Sequence, residues 1–315
     1  MQKLLFFVVF VVSIPVLVIN FYNPSINKKI FGFIENKKEE VVEEYHDIPI
    51  RVLRSNGNIE TMNLEDYLIG VVPSESPLSF EDEALKAQAV AARTYAIKQI
   101  QCNGDSLYDV TDDTYSQVYS DMDTLRYRWG ENFDENYNRI KNIVDSTRGE
   151  YVSYDGDVIY ALFFSTSNGY TEDNVDVFGT DLPYLKIVDS SFDQEETDNF
   201  YFTKTFTKEE FYSSLGLPYN DTLTISDVER TNSNRVSSLK VNGEQFGGIS
   251  FQYDLGLRSN DYTIVDNGET IDITTKGFGH GVGLSQYGAN ALAKRSKTYD
   301  EILKYYYQGT ELQKL

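Results

Sequence analysis

The sequence predicts an α+β fold: mixed helices and short antiparallel sheets in one folded domain with a β-rich subdomain, preceded by an N-terminal transmembrane helix. Three observations predict it. Apolar runs flank Asn56-Gly57, a pair that readily takes the positive φ values of a tight hairpin turn. An alanine-rich run from Leu85 to Tyr95 has helical periodicity. Between residues 223 and 273, short alternating runs such as Ser238-Leu239-Lys240-Val241 are separated by Asn242-Gly243 and Gly247-Gly248. The absence of a regular strand–helix rhythm argues against a doubly wound parallel sheet.

Taken in order, the chain begins with Met1-Gln2-Lys3 and an apolar run from Leu4 to Ile19, extended by Phe21 and Tyr22. Residues 4–22 approach the roughly 20 residues that a membrane-spanning helix needs. Signal cleavage wants small residues, and the first alanine is Ala84, so an uncleaved anchor is expected. Pro15 is tolerable in lipid. Lys3 before the run and Lys28 and Lys29 after it leave its orientation open. Residues 23–47 read as a charged linker. Lys37-Lys38-Glu39-Glu40-Val41-Val42-Glu43-Glu44 is too polar for a core, and His46 is an exposed linker residue.

The folded domain is expected over residues 48–315. After the hairpin, Asn63 is placed to cap a short helix over residues 64–71. A loop pinned by Pro73 and Pro77 follows, and Ser79 with Asp82 resembles a capping box for a helix to about Gln101. Leu85, Ala89, Ala92, Ala96 and Ile100 mark its buried stripe. Residues 104–123 read as a solvated loop. Its pairs Asp112-Asp113 and Asp121-Met122-Asp123 lack the spacing and central glycine of a calcium loop. A helix over 132–146, strands over 151–154 and 158–164 around Asp155-Gly156, and a helix over 206–215 come next. The β-rich subdomain covers about 220–275. Thr298 with Glu301 starts a last helix, which Gly309 would stop.

Composition narrows the function classes. A hydrophobic fraction of 41% with 24% charged residues is ordinary for a globular chain with a sizeable core. A formal charge of −21 argues against nucleic acid, whose phosphates want a basic surface, and against adhesion to anionic lipid. Cys102 is the single cysteine, so no intrachain disulfide exists and the redox compartment stays open. His46, His280 and Cys102 fall short of the four ligands of a structural zinc site. No metal and no cofactor are expected.

Two runs carry candidate chemistry. The first, Val71-Val72-Pro73-Ser74-Glu75-Ser76-Pro77, holds one carboxylate between two prolines that restrict its backbone. The following helix carries Lys86 and Arg93 seven positions apart, on one face. A proton donor at neutral pH needs a raised pKa, and cations close to Glu75 would lower it. Lys86 and Arg93 are therefore expected to contact substrate rather than Glu75. The second run is Gly277-Phe278-Gly279-His280-Gly281-Val282-Gly283-Leu284-Ser285-Gln286-Tyr287-Gly288-Ala289. Its alternating glycines clear one face of an extended segment for a ligand or another backbone. They do not match a dinucleotide-binding spacing. His280 is expected in a groove, with Gln286 and Tyr287 to hydrogen-bond or stack on sugar. Ser165-Thr166-Ser167 offers hydroxyls without a nucleophile elbow, which suits sugar binding better than a serine nucleophile.

The two runs, with Phe164-Ser165-Thr166-Ser167 between them, resemble the stage II sporulation protein D family, whose domain also occurs in bacterial amidase enhancers. The resemblance covers roughly Ile50 to the C-terminus. It implies a lytic transglycosylase that cuts peptide-free peptidoglycan strands during forespore engulfment, with Glu75 as acid/base. The residues expected to line the groove here are Lys86, Arg93, Tyr95, Ser167, His280, Gln286 and Tyr287. It also implies a partner amidase, and a single-pass anchor in the mother-cell membrane with the domain facing the intermembrane space. Some members carry a His-Cys pair and a further His linked to zinc. Those positions read Tyr115-Ser116 and Phe164 here, and Ser76 stands where many members have Met. A non-catalytic glycan-binding enhancer, a water-using muramidase and a structural anchor stay open as alternatives.

Overall fold

Strand β1 (Pro49–Leu53) pairs antiparallel with β2 (Ile59–Asn63) across the expected hairpin, where Gly57 takes φ 85°. The structure, a computed structural model, describes residues 48–315. The anticipated anchor over 4–22 and the linker over 23–47 lie outside the described residues. Among the described residues no helix is long and apolar enough to cross a membrane.

Helix α1 (Leu64–Glu75) is capped by the Asn63 side chain, which accepts the Glu65 N–H at 2.8 Å. It runs past the expected end at 71 and takes Pro73 inside it. The last turn still closes, because Ser76 N–H reaches the Val72 carbonyl and Ser74 Oγ donates to the Gly70 carbonyl. Glu75 is thus the last helical residue rather than a loop residue. Helix α2 (Asp82–Asn103) is the central element and packs against α1 and several later elements. The expected Ser79 capping box is absent. Glu81 occupies the cap without a side-chain bond, and its N–H donates to Asn290 from the far end of the chain. The expected stripe is buried, Ile100 only partly, and so are Ala87, Val90 and Ala91. Small side chains on every side let neighbours close around the helix.

The aspartate-rich stretch is more ordered than its polarity suggests. Strand β3 (Val110–Thr111) joins β1 in parallel. Asp112 and Asp121 both hold the Arg54 guanidinium, at 3.0 and 2.9 Å. Asp121 also caps a helix absent from the sequence reading, α3 (Met122–Trp129). Helix α4 (Phe133–Ser146) and strand β4 (Glu150–Tyr154) follow as expected. The strand expected over 158–164 survives only as β5 (Asp157–Val158) and β6 (Phe163–Phe164). The intervening residues leave the sheet, and the Leu162 carbonyl instead accepts the Leu284 N–H.

Helix α5 (Asn174–Phe178) leads into a second hydrophobic cluster, centred on Phe211, Leu239, Phe251 and Ile273. Two three-stranded antiparallel sheets build it. One joins β7 (Tyr201–Thr207), β11 (Tyr262–Asp266) and β12 (Thr270–Lys276) in the order β11-β12-β7. The other is β8 (Ile225–Arg230), β9 (Val236–Val241) and β10 (Glu244–Gly247). Helices α6 (Lys208–Ser214) and α7 (Gly248–Asp254) pack on them. Phe206 is a strand residue, contrary to the expected helix over 206–215. Thr207 forms the helix cap with Glu210, so the helix starts two residues later. The chain then returns to the first cluster through β13 (Leu284–Ser285), which pairs in parallel with β6. Helix α8 (Gln286–Lys294), helix α9 (Tyr299–Tyr306) and strand β14 (Glu311–Lys314) complete it. Glu301 accepts the Thr298 N–H at 3.1 Å, as the expected capping box requires.

Candidate active site

Glu75 ends α1 with its side chain half-buried. Its Oε1 accepts the Val118 backbone N–H at 2.6 Å, and the Gln286 amide also hydrogen-bonds the carboxylate. Burial pushes the carboxyl above its usual range, and these two hydrogen bonds pull it back only in part. No cation enters that balance among the described residues. The result is a carboxyl held by two neutral donors and shifted toward proton donation.

Gln286 is the first residue of α8, so the helix start fixes its position. Ser285 caps that helix and donates to the buried carboxylate of Asp193. The Gln286 amide also donates to Gln88 Oε1 at 3.3 Å. Gln88 is buried on α2, and its own amide nitrogen has no partner in the protein. Tyr95 lies two turns further along the same face. Burial, chiefly, raises its phenol, with a smaller upward push from the Glu75 charge and an opposing hydrogen bond with Ser116. Tyr67, on α1, is buried beneath and donates to Gln117 at 3.2 Å. Tyr287 sets its ring edge against Phe80 at 5.0 Å, in the loop that follows Glu75. Glu75, Tyr95, Gln286 and Tyr287 are therefore gathered at the end of α1. Gln88 and the 116–118 backbone also border this site, and the sequence reading missed them. Gln88 was recoverable, because it precedes Tyr95 by seven residues and so shares its helix face.

Lys86 and Arg93 are a correction. At about 100° per residue, positions two apart differ by about 200°, so both lie opposite Gln88 and Tyr95. Lys86 pairs with Glu83 at 2.7 Å and lies over the Tyr299 ring. Arg93 is fully buried and forks onto Glu65 at 2.7 and 2.9 Å. It also donates to the Glu150 carbonyl at 3.1 Å, so it ties helices to strand β4 and is no groove residue. With both cations turned away, burial of Glu75 acts unopposed by positive charge.

Ser167 is also buried. Its Oγ donates to the Ser190 carbonyl at 2.9 Å and its N–H to Asp193 at 2.7 Å, so it braces the core rather than a groove. His280 is half-buried, with its ring between Phe164 and Phe178. Nδ1 accepts the Val282 N–H at 3.0 Å, and the ring donates to the Phe163 backbone. Burial, then the nearby Arg235 charge, lowers the imidazole to about 4. A neutral ring with both nitrogens on backbone is a clip that holds the glycine run to β6.

Gly277, Gly279, Gly281 and Gly283 all take positive φ, between 76° and 104°. What approaches them is protein: a Cβ on Gly277 would meet the Ser167 carbonyl at 2.6 Å, and one on Gly281 the Arg235 guanidinium at 2.6 Å. A Cβ on Gly283 would fall inside the Leu162 carbonyl. Gly283→Ala combines that clash with φ 82°, and it is expected to lower stability by about 3 kcal/mol or more in thermal denaturation.

The positions linked to zinc in some relatives lie partly in this site. Ser116 Oγ accepts the Thr111 N–H, Tyr115 is exposed and Phe164 is buried beside His280. A phenol, an alcohol and a benzyl ring do not supply the thiolate and imidazole donors that such a site requires.

Residues 54–154 match the family described as "Stage II sporulation protein", a stretch that contains Glu75, α2 and the 116–118 backbone. The chain is 42% identical over 273 residues to stage II sporulation protein D of Bacillus subtilis, covering 84% of this chain and 79% of that protein. Its counterpart in Bacillus amyloliquefaciens is 41% identical over 284 residues, covering 88% and 82%. The amidase enhancer of Bacillus subtilis is 30% identical over 299 residues, covering 78% of this chain and 40% of that protein. On the strength of those long alignments and of the site they span, this chain belongs to the stage II sporulation protein D family.

Proposed function

We propose that the protein is a membrane-anchored lytic transglycosylase of sporulation that cuts peptide-free peptidoglycan strands, with Glu75 as its single acid/base. The observation that carries the reading is the state of Glu75: raised by burial, gripped by two neutral donors, with no second carboxylate contributing to its shift. Hydrolytic glycosidases generally set two carboxyl groups across the scissile bond. A lytic mechanism needs one. Protonated Glu75 gives its proton to the glycosidic oxygen as the bond to C1 breaks. The carboxylate then takes the proton of the sugar's own C6 hydroxyl, whose oxygen bonds to C1. The product is a 1,6-anhydromuramoyl end, and no water is consumed. Tyr95, Gln286 and Tyr287 border the site and would orient the sugar, while Gln88 holds Gln286.

The names of its relatives supply the setting: a sporulation protein, and an enhancer of an amidase that would strip the strands beforehand. The amidase enhancer relative also favours a second reading, a non-catalytic glycan-binding partner of an amidase. Mass spectrometry of amidase-stripped strands incubated with the full-length protein separates the two. Anhydro-ended fragments support the lyase. Reducing ends without anhydro sugars indicate a muramidase, and intact bound strands indicate the enhancer.

A further inference from the structure

Away from Glu75, one arginine lies against two exposed aromatic rings. The Arg258 guanidinium carbon lies 3.8 Å from the Phe202 ring centre and 5.6 Å from that of Phe278. Both rings are exposed, Phe202 by 37% and Phe278 by 49%. The sequence has 49 acidic residues against 28 basic ones, and most arginines and lysines of the described residues reach a carboxylate. Arg258 reaches none among the described residues, and its side chain makes no hydrogen bond there. A guanidinium stacked on a ring keeps its in-plane N–H fork free, held at the geometry that a carboxylate matches. The more distant acidic charge weighs little, because fields between exposed groups are screened beyond about 8 Å at physiological salt.

The backbone fixes this arrangement and links it to the site. The Arg258 carbonyl accepts the Gly279 N–H at 2.9 Å, beside Phe278. Phe278 exchanges backbone hydrogen bonds with Thr166, and the preceding Ser165 carbonyl accepts the Tyr287 N–H at 3.1 Å. Tyr287 adjoins Gln286, which holds Glu75.

We propose that Phe202, Arg258 and Phe278 form a binding site for a carboxylate-bearing polysaccharide: the rings stack on sugar faces and Arg258 grips the lactyl carboxylate of a peptide-free muramoyl unit. The inference rests on the glycan-strand reading above and extends it to a specificity-determining residue. The backbone path from Arg258 through Phe278 and Ser165 to Tyr287, beside the residue that holds Glu75, favours a glycan over an acidic protein segment.

The test is equilibrium binding with the full-length chain in a Glu75→Gln background, which blocks turnover. Amidase-stripped strands are compared with neutral N-acetylglucosamine oligomers of equal length. Arg258→Ala is expected to weaken stripped strands about tenfold, as befits a lost charge-assisted bidentate contact, and to leave the neutral oligomer unchanged. Arg258→Lys, which keeps the charge without the fork, should fall between. Phe202→Ala should weaken both ligands. Unchanged melting temperatures establish that the variants fold. Stripped-strand affinity that ignores Arg258 overturns the proposal. So does that result together with weaker binding of polyglutamate, which reassigns the surface to an acidic protein. Loss of affinity in this background, with no anhydro products from the native protein on the same strands, would keep this site and sink the lyase reading. Anhydro products from the native protein, with affinity unaltered by Arg258→Ala, would do the reverse.

Discussion

Glu75→Gln is expected to reduce the release of anhydro-ended fragments by roughly 10²–10⁴-fold, the range that a positioned general acid/base contributes. Glutamine keeps the size of the side chain and can still accept the Val118 N–H. It cannot donate a proton to the glycosidic oxygen. Strand binding should therefore survive while the chemical step is lost, and single-turnover rates beside binding isotherms would show the split. Equal product from both proteins would clear Glu75 and direct attention to another acid. The pH dependence follows from the upward shift of the carboxyl. In the native protein, the rate of the protonation step should fall as pH rises through the raised pKa of Glu75. The stability sign is the reverse of that for a salt-bridged acid. The folded state holds the Glu75 proton more tightly than the unfolded chain, so ionising it destabilises the fold as pH rises above the ordinary glutamate range. Glu75→Gln should thus raise the melting temperature at neutral pH, and the gain should vanish in acid, where native Glu75 is protonated in both states.

Arg93→Ala is expected to cost about 3–5 kcal/mol, the usual loss when one partner of a buried ion pair is removed. The deletion leaves the Glu65 carboxylate buried between α1 and α2 without the guanidinium that balances its charge. It also removes the donors to the carbonyls of Val144 and Glu150, at the end of α4 and the start of β4. Arg93→Lys should restore little, because a single ammonium cannot span both oxygens of Glu65. Replacing the pair together, as Glu65→Leu with Arg93→Met, should cost less than Arg93→Ala alone, since no charge is left buried. Urea denaturation of the set would measure this. At a temperature where the variant is still folded, product formed per folded molecule should match the native protein. A specific loss of glycan affinity would instead put Arg93 back in a groove.

Much of the fold was legible because its signals are local. Asn56-Gly57 made its hairpin, Asn63 capped α1, and Thr298 with Glu301 opened α9. Errors fell where a distant partner decided the outcome. Asp121 read as a solvated acid until Arg54 and the α3 backbone were beside it. Ser79 lost the helix cap when Asn290, two hundred residues away, took the Glu81 N–H. Residues 159–162 looked like strand, but Leu162 gave its carbonyl to the returning glycine run.

By itself, the sequence determined the mixed architecture, the single carboxylate ahead of a long helix, and the two runs that identify the family, while it read Glu75 as a loop residue where the structure makes it helical. It also held, unread, the helical arithmetic that sets Gln88 and Tyr95 on one face and Lys86 and Arg93 on the other. Only the tertiary structure decided what surrounds the carboxyl. Val118 and Gln286 come from segments 43 and 211 positions away from Glu75 in number, and no local rule brings them there. The proton affinity of an acid depends on how much water it loses and which dipoles replace that water. Those are properties of the packed site, so the residue was visible in the sequence and its raised proton affinity only in the fold.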